Sequence, residues 1–345
     1  MRIGILTHPL GSNYGGLLQC YALYTYLYKM GHNPIVIRRE RDKSFYIWEL
    51  VRLVLKKLHF PRYYNPNTID KTKKIRPFIV SHLICTLPVH SQAQMNEICC
   101  KYQLEAVIVG SDQVWRRDFA LNFGYNYFLD FVPKTIKKFS YAASLGLSDW
   151  QYDKNQTSML KLMLSEFAGV SLREFDAIEL FKNNLGIEAI QHIDPTLLLD
   201  IDDYSKITSP RKLKENYIFV YWLGPKDFVQ KKITQIEESG IKVVTLFLRD
   251  NIEQMSVEDW LSYIKYADKV ITDSFHGCVF SIIFQKQFVV ELNESGGVGR
   301  VKSLLRMLNI EEYVINQSCI DYSVVHKRIE SLRKESNEYF LKCLK

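Results

Sequence analysis

The order of apolar and polar positions along the chain predicts short buried strands alternating with amphipathic helices. Residues 2–7 (RIGILT) are largely apolar, as in a buried strand, and are followed by a turn with the sequence HPLGSNYGG. The apolar periodicity of residues 17–30 predicts a helix, which Gly31 ends. Residues 34–39 (PIVIRR) then form the next strand. This order opens a parallel, doubly wound sheet.

The same alternation continues in two series on either side of a polar stretch at 200–216. The first series has further predicted strands at 106–112, 137–146, 169–174 and 189–199, with a helix at 175–185. The second series alternates strands at 217–224, 242–248, 269–273 and 287–292 with helices at 226–239, 257–267 and 275–285. A last helix is predicted at 322–344.

Two domains are also what the length requires, because 345 residues are too many for one ordinary core. We predict an α/β chain with an N-terminal Rossmann-like domain at 1–203, a linker at 204–216 and a C-terminal Rossmann-like domain at 217–321. The last helix, within 322–345, could pack across both domains. Two Rossmann-like domains facing a cleft form a GT-B-like arrangement. In such sheets, ligands bind beyond the carboxyl ends of the strands.

Composition narrows the classes of function. The formal net charge of +7 is too small for a dedicated nucleic-acid-binding protein, but it suits a protein that handles anions. The seven cysteines include no CxxC pair, so neither a zinc cluster nor a disulfide framework is expected. The first residues do not form a signal peptide, and no run of about 18 apolar residues predicts a membrane span. We therefore expect a cytoplasmic protein.

One segment of the chain is strongly basic. Between residues 49 and 76, eight cations face only two acidic residues; the cations are Arg52, Lys56, Lys57, Arg62, Lys71, Lys73, Lys74 and Arg76. The segment could be a solvated helix and loop. Alternatively, it could contact the acceptor or the anionic inner face of the cell membrane as a peripheral surface.

The loop after the first strand contains Asn13, Tyr14, Gly15 and Gly16. Two glycines let the backbone approach a ligand, and free N–H groups at the start of the following helix favour an anion. The loop has neither the GxGxxG spacing of a dinucleotide site nor the GK[ST] ending of a P-loop. Alternatively, the glycines are needed only for a sharp turn.

The loop after strand 106–112 brings together Asp112, Gln113 and Trp115. A carboxylate, an amide and an indole suit sugar hydroxyls, and Asp112 could accept a proton from one of them. Alternatively, Asp112 caps the next helix.

Two further strand ends carry candidate residues. Arg173, at the end of GVSLRE, could clamp a carboxylate or phosphate, or could simply pair with Glu174. His276 lies in the turn TDSFHG before an apolar helix, where it could act as a base or bind an anion, and Ser274 adds a hydroxyl. A structural histidine is the alternative.

A glycine-rich segment lies near the end of the second series. Gly296, Gly297 and Gly299 precede Arg300. This segment could close over an anion, or it could be an ordinary surface loop.

Several phrases, taken in order, resemble the polysaccharide pyruvyl transferase family. The resemblance extends over roughly residues 3–308, and the matching phrases are NYGGLLQCYAL, VIVGSDQVW, FSYAASLG, VSLRE, DPTLLL, DWLSYIKYADKVITDSFHGCVFSIIF and GRVKSLLRMLNI. The resemblance implies a GT-B-like fold and a transferase that moves the pyruvyl group of phosphoenolpyruvate onto two hydroxyls of a sugar, such as galactose or N-acetylmannosamine. The product would be a ketal in a surface polysaccharide. Phosphoenolpyruvate would be a co-substrate, and no cofactor or metal is expected.

The resemblance also assigns roles to residues. His276 and Asp112 would be catalytic. Donor-binding residues would be Arg173, Ser274, Phe275, Gly277, Arg300, Asn13, Gly15 and Gly16. Acceptor-binding residues would be Asp112, Gln113, Trp115 and Tyr14. The acceptor could be a lipid-linked oligosaccharide.

The chain departs from the family pattern in two places. Some branches have Ser-Arg-Leu-His where this chain has Asp-Ser-Phe-His at 273–276, so an arginine available to the donor is missing here. Arg300 or a helix N-terminus could substitute for it. Other branches have a glycine-rich turn at 110–112. Two other functions stay open: a GT-B glycosyltransferase with a nucleotide-sugar donor, and a non-catalytic glycan-binding protein.

Overall fold

The computed structural model describes residues 1–41, 70–250, 253–291, 298–316 and 318–345, and its N-terminal half is built on a parallel sheet. The strands are β1 (Arg2–Leu6), β2 (Asn33–Ile37), β3 (Ala106–Val109) and β4 (Lys137–Ser140), in the order β2-β1-β3-β4. All three strand pairs are parallel. Their residues are mostly buried, because helices cover the faces of such sheets.

The helices of this half connect the strands and follow them. They are α1 (Tyr14–Lys29), α2 (Arg76–His82), α3 (Gln92–Lys101), α4 (Arg117–Ala120), α5 (Lys154–Leu164), α6 (Phe175–Leu185) and α7 (Ile201–Ser205). The described residues of this half also form 3₁₀ helices at Leu121–Phe123, Asn126–Phe128 and Pro195–Leu198.

Two short strands extend the first sheet. β5 (Ser171–Leu172) pairs with β6 (Ile190–Gln191), again in parallel. β5 pairs with the segment that comes directly after β4. Ala143 N donates a hydrogen bond to Ser171 O (3.0 Å), and Arg173 N donates one to Ala143 O (3.0 Å). As a result, Arg173 lies at the same carboxyl edge of the sheet as the loop that carries Asp112, which forms a bridge with Ala143.

The C-terminal half has a second parallel sheet of four strands. The strands are β7 (Tyr217–Trp222), β8 (Lys242–Phe247), β9 (Lys269–Thr272) and β10 (Gln287–Val290), in the order β10-β9-β7-β8. The helices are α8 (Asp227–Glu238), α9 (Val257–Lys265), α10 (Phe275–Ile283), α11 (Val298–Met307), α12 (Glu311–Ile315) and α13 (Tyr322–Leu344). This half repeats the architecture of the first.

A continuous hydrophobic core joins the two halves. The Tyr14 ring at the start of α1 stacks on Trp260 of α9, with ring centroids 5.2 Å apart and an angle of 4° between the planes. The Tyr14 hydroxyl donates a hydrogen bond to the carbonyl of Met255 (2.9 Å). Both aromatic residues are fully buried. The first helix of the N-terminal half is therefore packed into the C-terminal half.

Helix α13 contacts both halves. Near its start, the Tyr322 hydroxyl donates to the carbonyl of Lys286 in the C-terminal half. Near its end, the Tyr339 hydroxyl donates to the carbonyl of Ser140 at the end of β4 (2.8 Å). Phe340 stacks on Tyr141, with ring centroids 4.5 Å apart. The end of this helix thus packs against the end of β4 in the first sheet.

Most predicted elements are present, with two informative differences. The strand predicted at 137–146 ends at Ser140, and Ala142 has a left-handed φ of 48° that an extended strand does not accommodate. The polar stretch at 200–216 is not only a connection. It begins with helix α7, which Asp200 caps and in which Tyr204 is fully buried against Phe280. The exact domain boundaries stay a prediction.

The basic segment lies mainly outside the described residues, including Arg52, Lys56, Lys57 and Arg62. In its described part, Lys71 donates to the carbonyl of Leu248 (2.6 Å) and Lys74 pairs with Glu253 (3.4 Å). These contacts connect the segment to the C-terminal half. In the described ranges, no helix combines the length and apolar character that a membrane span needs. Membrane contact stays a prediction.

Because Tyr14 and Trp260 stack between the two halves, we expect the halves to unfold in one cooperative transition. Replacing Trp260 with alanine should lower the free energy of unfolding by about 3–5 kcal/mol, because it opens a cavity in the shared core. Tyr14→Phe keeps the stack and loses one hydrogen bond, so it should cost about 1 kcal/mol. Urea unfolding followed by both far-UV circular dichroism and tryptophan fluorescence checks the prediction. Coincident transitions are expected, and separate transitions would show that the halves unfold independently.

Candidate functional site

The start of α1 lies against the start of α10. Asn13 caps α1, because its Oδ1 accepts a hydrogen bond from Gly16 N (3.2 Å). A Cβ atom at Gly15 would lie 2.0 Å from Nδ1 of His276, and one at Gly16 would lie 3.1 Å from Oδ2 of Asp112. Position 15 therefore requires glycine because any side chain there would clash with His276. The sharp turn, which was the alternative reason for a glycine, is not the main one.

The turn before α10 is also tightly packed. Ser274 caps the helix by accepting a hydrogen bond from Gly277 N (3.3 Å). A Cβ atom at Gly277 would lie 2.3 Å from Oγ1 of Thr272, whose hydroxyl donates to the carbonyl of Tyr221. This packing fixes His276 in the first turn of α10, where its side chain is buried. Ser274 and Gly277 therefore shape the turn, and their direct contact with a donor stays a prediction.

A buried carboxylate, Asp194, connects three of the strand-end loops. Its Oδ2 accepts hydrogen bonds from Nη1 of Arg173 (2.8 Å) and from Oγ of Ser111 (3.0 Å). The same oxygen lies 3.6 Å from Nε2 of His276. Its Oδ1 accepts from the backbone and hydroxyl of Thr196. Burial would raise the pKa of Asp194, but His276, Arg173 and Thr196 together hold that pKa below its usual range.

Arg173 is buried and held in one orientation. Its Nε pairs with Oε1 of Glu174 (3.1 Å), and its guanidinium carbon lies 4.3 Å from the centre of the Phe275 ring. Burial alone would lower the pKa of Arg173, yet the carboxylates of Glu174, Asp194 and Asp112 raise it, so the charge is retained. The predicted pairing with Glu174 is present, but it occupies only one edge of the guanidinium.

Two buried nitrogen atoms of this cluster have no hydrogen-bond partner within the described parts of the chain. They are Nη2 of Arg173 and Nε2 of His276. Both residues contact the same oxygen of Asp194, so the two atoms belong to one small region. Unpaired buried donors are costly, and an anionic ligand would satisfy them.

Asp112 is buried in a left-handed backbone conformation (φ = 76°). Its Oδ1 accepts from Gln113 N (2.9 Å), and α4 begins only at Arg117, so Asp112 does not cap that helix. Burial would raise the pKa of Asp112, but the nearby His8, Arg173, His276 and Arg300 lower it. The carboxylate is therefore charged at neutral pH and can accept a proton or a hydrogen bond.

Arg300 lies in the first turn of α11, so the predicted loop is helical from Val298 onward. Burial and the neighbouring Arg173 lower the pKa of Arg300, while Glu174 and Asp112 oppose that shift. Arg300 therefore belongs to the same charged cluster. Gly296 and Gly297 lie outside the described residues.

Two of the residues predicted to bind the acceptor are core residues. Trp115 is fully buried, donates from its indole to the carbonyl of Tyr127 (2.8 Å) and packs between Phe128 and Phe181. Tyr14 is fully buried in the contact between the halves. The structure therefore places Trp115 and Tyr14 in the core, where neither ring reaches a surface, and does not bring either ring to an open site.

The third predicted acceptor residue, Gln113, is half-buried. Its Oε1 accepts from Nη1 of Arg116 (3.3 Å), and its side chain lies against Gly146. Gln113 therefore lies beside Asp112 at the edge of the cluster.

Sequence reasoning missed Asp194, which organises the site. The residue follows β6 in the phrase DPTLLL, whereas the predicted strand runs from 189 to 199 and so includes Asp194. Had the predicted strand been ended before Pro195, which cannot donate a backbone hydrogen bond, the rule applied to Asp112 and Arg173 would have found Asp194 as a charged residue at a strand end.

The sequence model of the polysaccharide pyruvyl transferases matches residues 13–295. This chain belongs to the polysaccharide pyruvyl transferase family. The matched range contains every member of the buried cluster except Arg300. Family membership makes the chain a transferase with a sugar as its acceptor. No curated protein matches the chain significantly in a comparison of sequences.

Solved structures show the fold of this pyruvyl transferase family member. The UDP-GlcNAc 2-epimerase of Neisseria meningitidis, bound to UDP-GlcNAc, superposes with a TM-score of 0.51 at 15% identity, over 99% of this chain and 100% of that chain. The structure described as a UDP-N-acetylglucosamine 2-epimerase from Listeria monocytogenes gives a TM-score of 0.52 at 11% identity, over 98% and 97%. These similarities establish the predicted GT-B-like α/β fold.

The contacts of Asp194 predict that the stability of the protein depends on pH. Asp194→Asn should lower the free energy of unfolding at pH 7 by about 3 kcal/mol, because a buried arginine loses a charged partner. The pKa of Asp194 is depressed in the folded protein, so its contribution is complete above the unfolded pKa of about 3.9 and is lost as the pH falls further. The difference between the two proteins should therefore narrow from pH 7 to pH 3.

Urea unfolding at several pH values measures this difference. Asp259→Asn is a matched control, because Asp259 pairs with Lys212 (2.6 Å) but its side chain is one-third exposed. The control should change stability by only about 0–1 kcal/mol. A difference between wild type and Asp194→Asn that is small at pH 7, or that does not change with pH, would contradict the assigned role of Asp194.

Proposed function

We propose that this chain transfers the pyruvyl group of phosphoenolpyruvate to two hydroxyls of a sugar and so forms a ketal in a surface polysaccharide. The family supports the type of reaction. The observation that carries the choice of donor is a pair of buried nitrogens that have no hydrogen-bond partner among the described residues. They are Nη2 of Arg173 and Nε2 of His276, and the second lies 3.6 Å from the Asp194 carboxylate. A small, highly charged donor matches such a site.

Phosphoenolpyruvate presents a phosphate and a carboxylate close together. In the proposed complex, Nη2 of Arg173 binds one of these groups, while Phe275 and Glu174 hold the guanidinium in place. The first turns of α1 and α10 meet at Gly15 and direct backbone N–H groups to the same region. Other family branches have an arginine in the turn before the helix. In the proposed complex, Arg300 supplies a positive charge in place of that arginine.

The reaction requires a proton at the methylene carbon of the donor. In the proposed sequence, His276 supplies this proton, and the adjacent carbon becomes electrophilic. One sugar hydroxyl attacks that carbon, and Asp112 accepts the hydroxyl proton. The C–O bond to phosphate then breaks, and phosphate leaves with the proton that Asp112 accepted. The second hydroxyl attacks the same carbon to close the ketal, and its proton returns to His276. The charge of the leaving phosphate is met by Arg173, Arg300 and the helix N-termini, so the proposal needs no metal ion or cofactor.

Acceptor-dependent release of phosphate from phosphoenolpyruvate tests the proposal. The acceptors are methyl glycosides of galactose, glucose and N-acetylmannosamine, and the product is checked for the mass of an added pyruvate ketal. Release that depends on a glycoside supports the proposal. Stabilisation by UDP or GDP, without any release from phosphoenolpyruvate, would instead favour a nucleotide-sugar glycosyltransferase.

The close approach of Gly15 to His276 gives a sharper prediction. His276→Ala should lower kcat by about 10²–10⁴-fold, because it removes the proposed acid. Gly15→Ala should cause a loss of the same order, because the added methyl group displaces the imidazole. Gly31→Ala is the control, since it lies beyond the far end of α1 and a Cβ there meets no atom within 4 Å; its left-handed φ of 83° should cost stability but leave kcat unchanged.

Steady-state phosphate release measures kcat for the three variants, and thermal unfolding confirms that each is folded. If His276→Ala or Gly15→Ala retains kcat within tenfold of wild type, the catalytic role of His276 is wrong.

A further inference from the structure

A cavity of about 460 Å³ opens beside Asp112 on the N-terminal side of the cluster. Its walls are the loop after β1, the first turn of α1 and the segment from Asp112 to Phe123. The volume lies within the range of small-molecule sites. Because Asp112 also borders the buried cluster through Gly16, a molecule in this cavity would lie next to the proposed donor site.

The polar groups of the cavity suit a neutral polyol. Asn13, Gln113 and Asn122 contribute three amides. Asn122 donates from Nδ2 to the carbonyl of Asp118 (2.7 Å), and its Oδ1 has no hydrogen bond to any described residue. Amides that both donate and accept match sugar hydroxyls, which also do both.

The charged side chains in the lining of the cavity are Asp112 and Arg41, and Arg116 lies over Phe119 beside them. Asp112 is buried and negatively charged, whereas Arg41 is exposed. An anionic ligand beside Asp112 would meet the repulsion of its carboxylate. The cavity therefore differs in character from the cationic region around Arg173, which suits the donor.

An aromatic surface lies in the same cavity. Phe119 is 39% exposed, and Arg116 lies over its ring, with its guanidinium carbon 4.8 Å from the ring centre. The His8 ring meets Phe119 edge to face at 5.6 Å, and the Nε2 of His8 has no hydrogen-bond partner among the described residues. An exposed flat ring next to an unpaired ring nitrogen is suited to the apolar C–H face and the hydroxyls of a sugar.

We propose that this cavity is the acceptor subsite, and that it binds a neutral pyranose. The inference rests on the proposed function, because it places the acceptor hydroxyls beside Asp112 and next to the donor. Phe119 contacts the C–H face of the sugar. Asn122 and His8 bind hydroxyls that do not react, and Asp112 receives the proton of the hydroxyl that attacks. Phe119, Asn122 and His8 thus take the place of Trp115 and Tyr14 as acceptor-binding residues.

Variants of Phe119 and Asn122 test the subsite. With methyl β-galactoside, methyl β-glucoside and methyl N-acetylmannosaminide as probes, Phe119→Leu and Asn122→Ala should each raise the acceptor KM or Kd at least about tenfold. Phe119→Tyr keeps the flat ring and should stay within about threefold of wild type. The KM for phosphoenolpyruvate should change less than twofold, since its proposed site is separate.

Two matched controls exclude a general effect of the substitutions. Tyr28→Leu removes an aromatic ring that is 65% exposed in the last turn of α1, at the far end of that helix. Asn184→Ala removes an amide that, like Asn122, donates to the carbonyl four residues earlier (2.9 Å). Both controls should leave all constants unchanged, and thermal unfolding checks that every variant is folded.

Glycoside binding by saturation-transfer NMR, without any donor, separates the two proposals. Phosphate release that Phe119→Leu and Asn122→Ala do not affect would overturn the subsite and leave the proposed function intact. Glycoside binding that is weakened by both variants, without any turnover of phosphoenolpyruvate, would support the subsite and count against the donor. If no probe binds in a way that depends on Phe119, the subsite is wrong whether or not phosphoenolpyruvate is consumed.

Discussion

The carboxylate of Asp194 is the interaction on which the site depends. It accepts hydrogen bonds from Arg173, Ser111 and Thr196 and lies 3.6 Å from His276 of the other half. A buried carboxylate is tolerated only if its surroundings are positive and donate hydrogen bonds. The two halves of the chain supply these surroundings jointly. The relative position of the halves and the charge pattern of the site therefore constrain each other.

The sequence is sufficient to predict that the loops after parallel strands would meet. Asp112, Arg173 and His276 follow β3, β5 and β9, and the common direction of strands in each sheet brings these loops to one edge. The alternation of apolar and polar segments was clear enough to give the bounds of α6 and α13 as well. These features depend on local pattern and on general rules of topology, which a single sequence contains.

Other features depend on packing that the pattern does not record. Trp115 and Phe119 are four residues apart in a segment of short helices, yet one is fully buried and the other is 39% exposed. Nothing in their spacing distinguishes them, because no regular period fixes which face is inward. Gly15 and Gly16 likewise were recognised as special. The reason that glycine is needed at both positions is close contact with His276 and Asp112, which is apparent only when α1 and α10 are packed together.

The contacts of α13 also affect the order in which the protein can fold. The hydrogen bond between Tyr339 and Ser140 joins residues that are 199 positions apart in the chain. On the ribosome, β4 is therefore complete long before the helix that covers it has been made. Contacts of such separation slow folding, because a long loop must close before they form. Until α13 has been made, Tyr141 and the part of the first sheet that the helix covers are exposed to solvent. A chaperone that binds apolar surface could therefore bind this region for longer than other parts of the sheet.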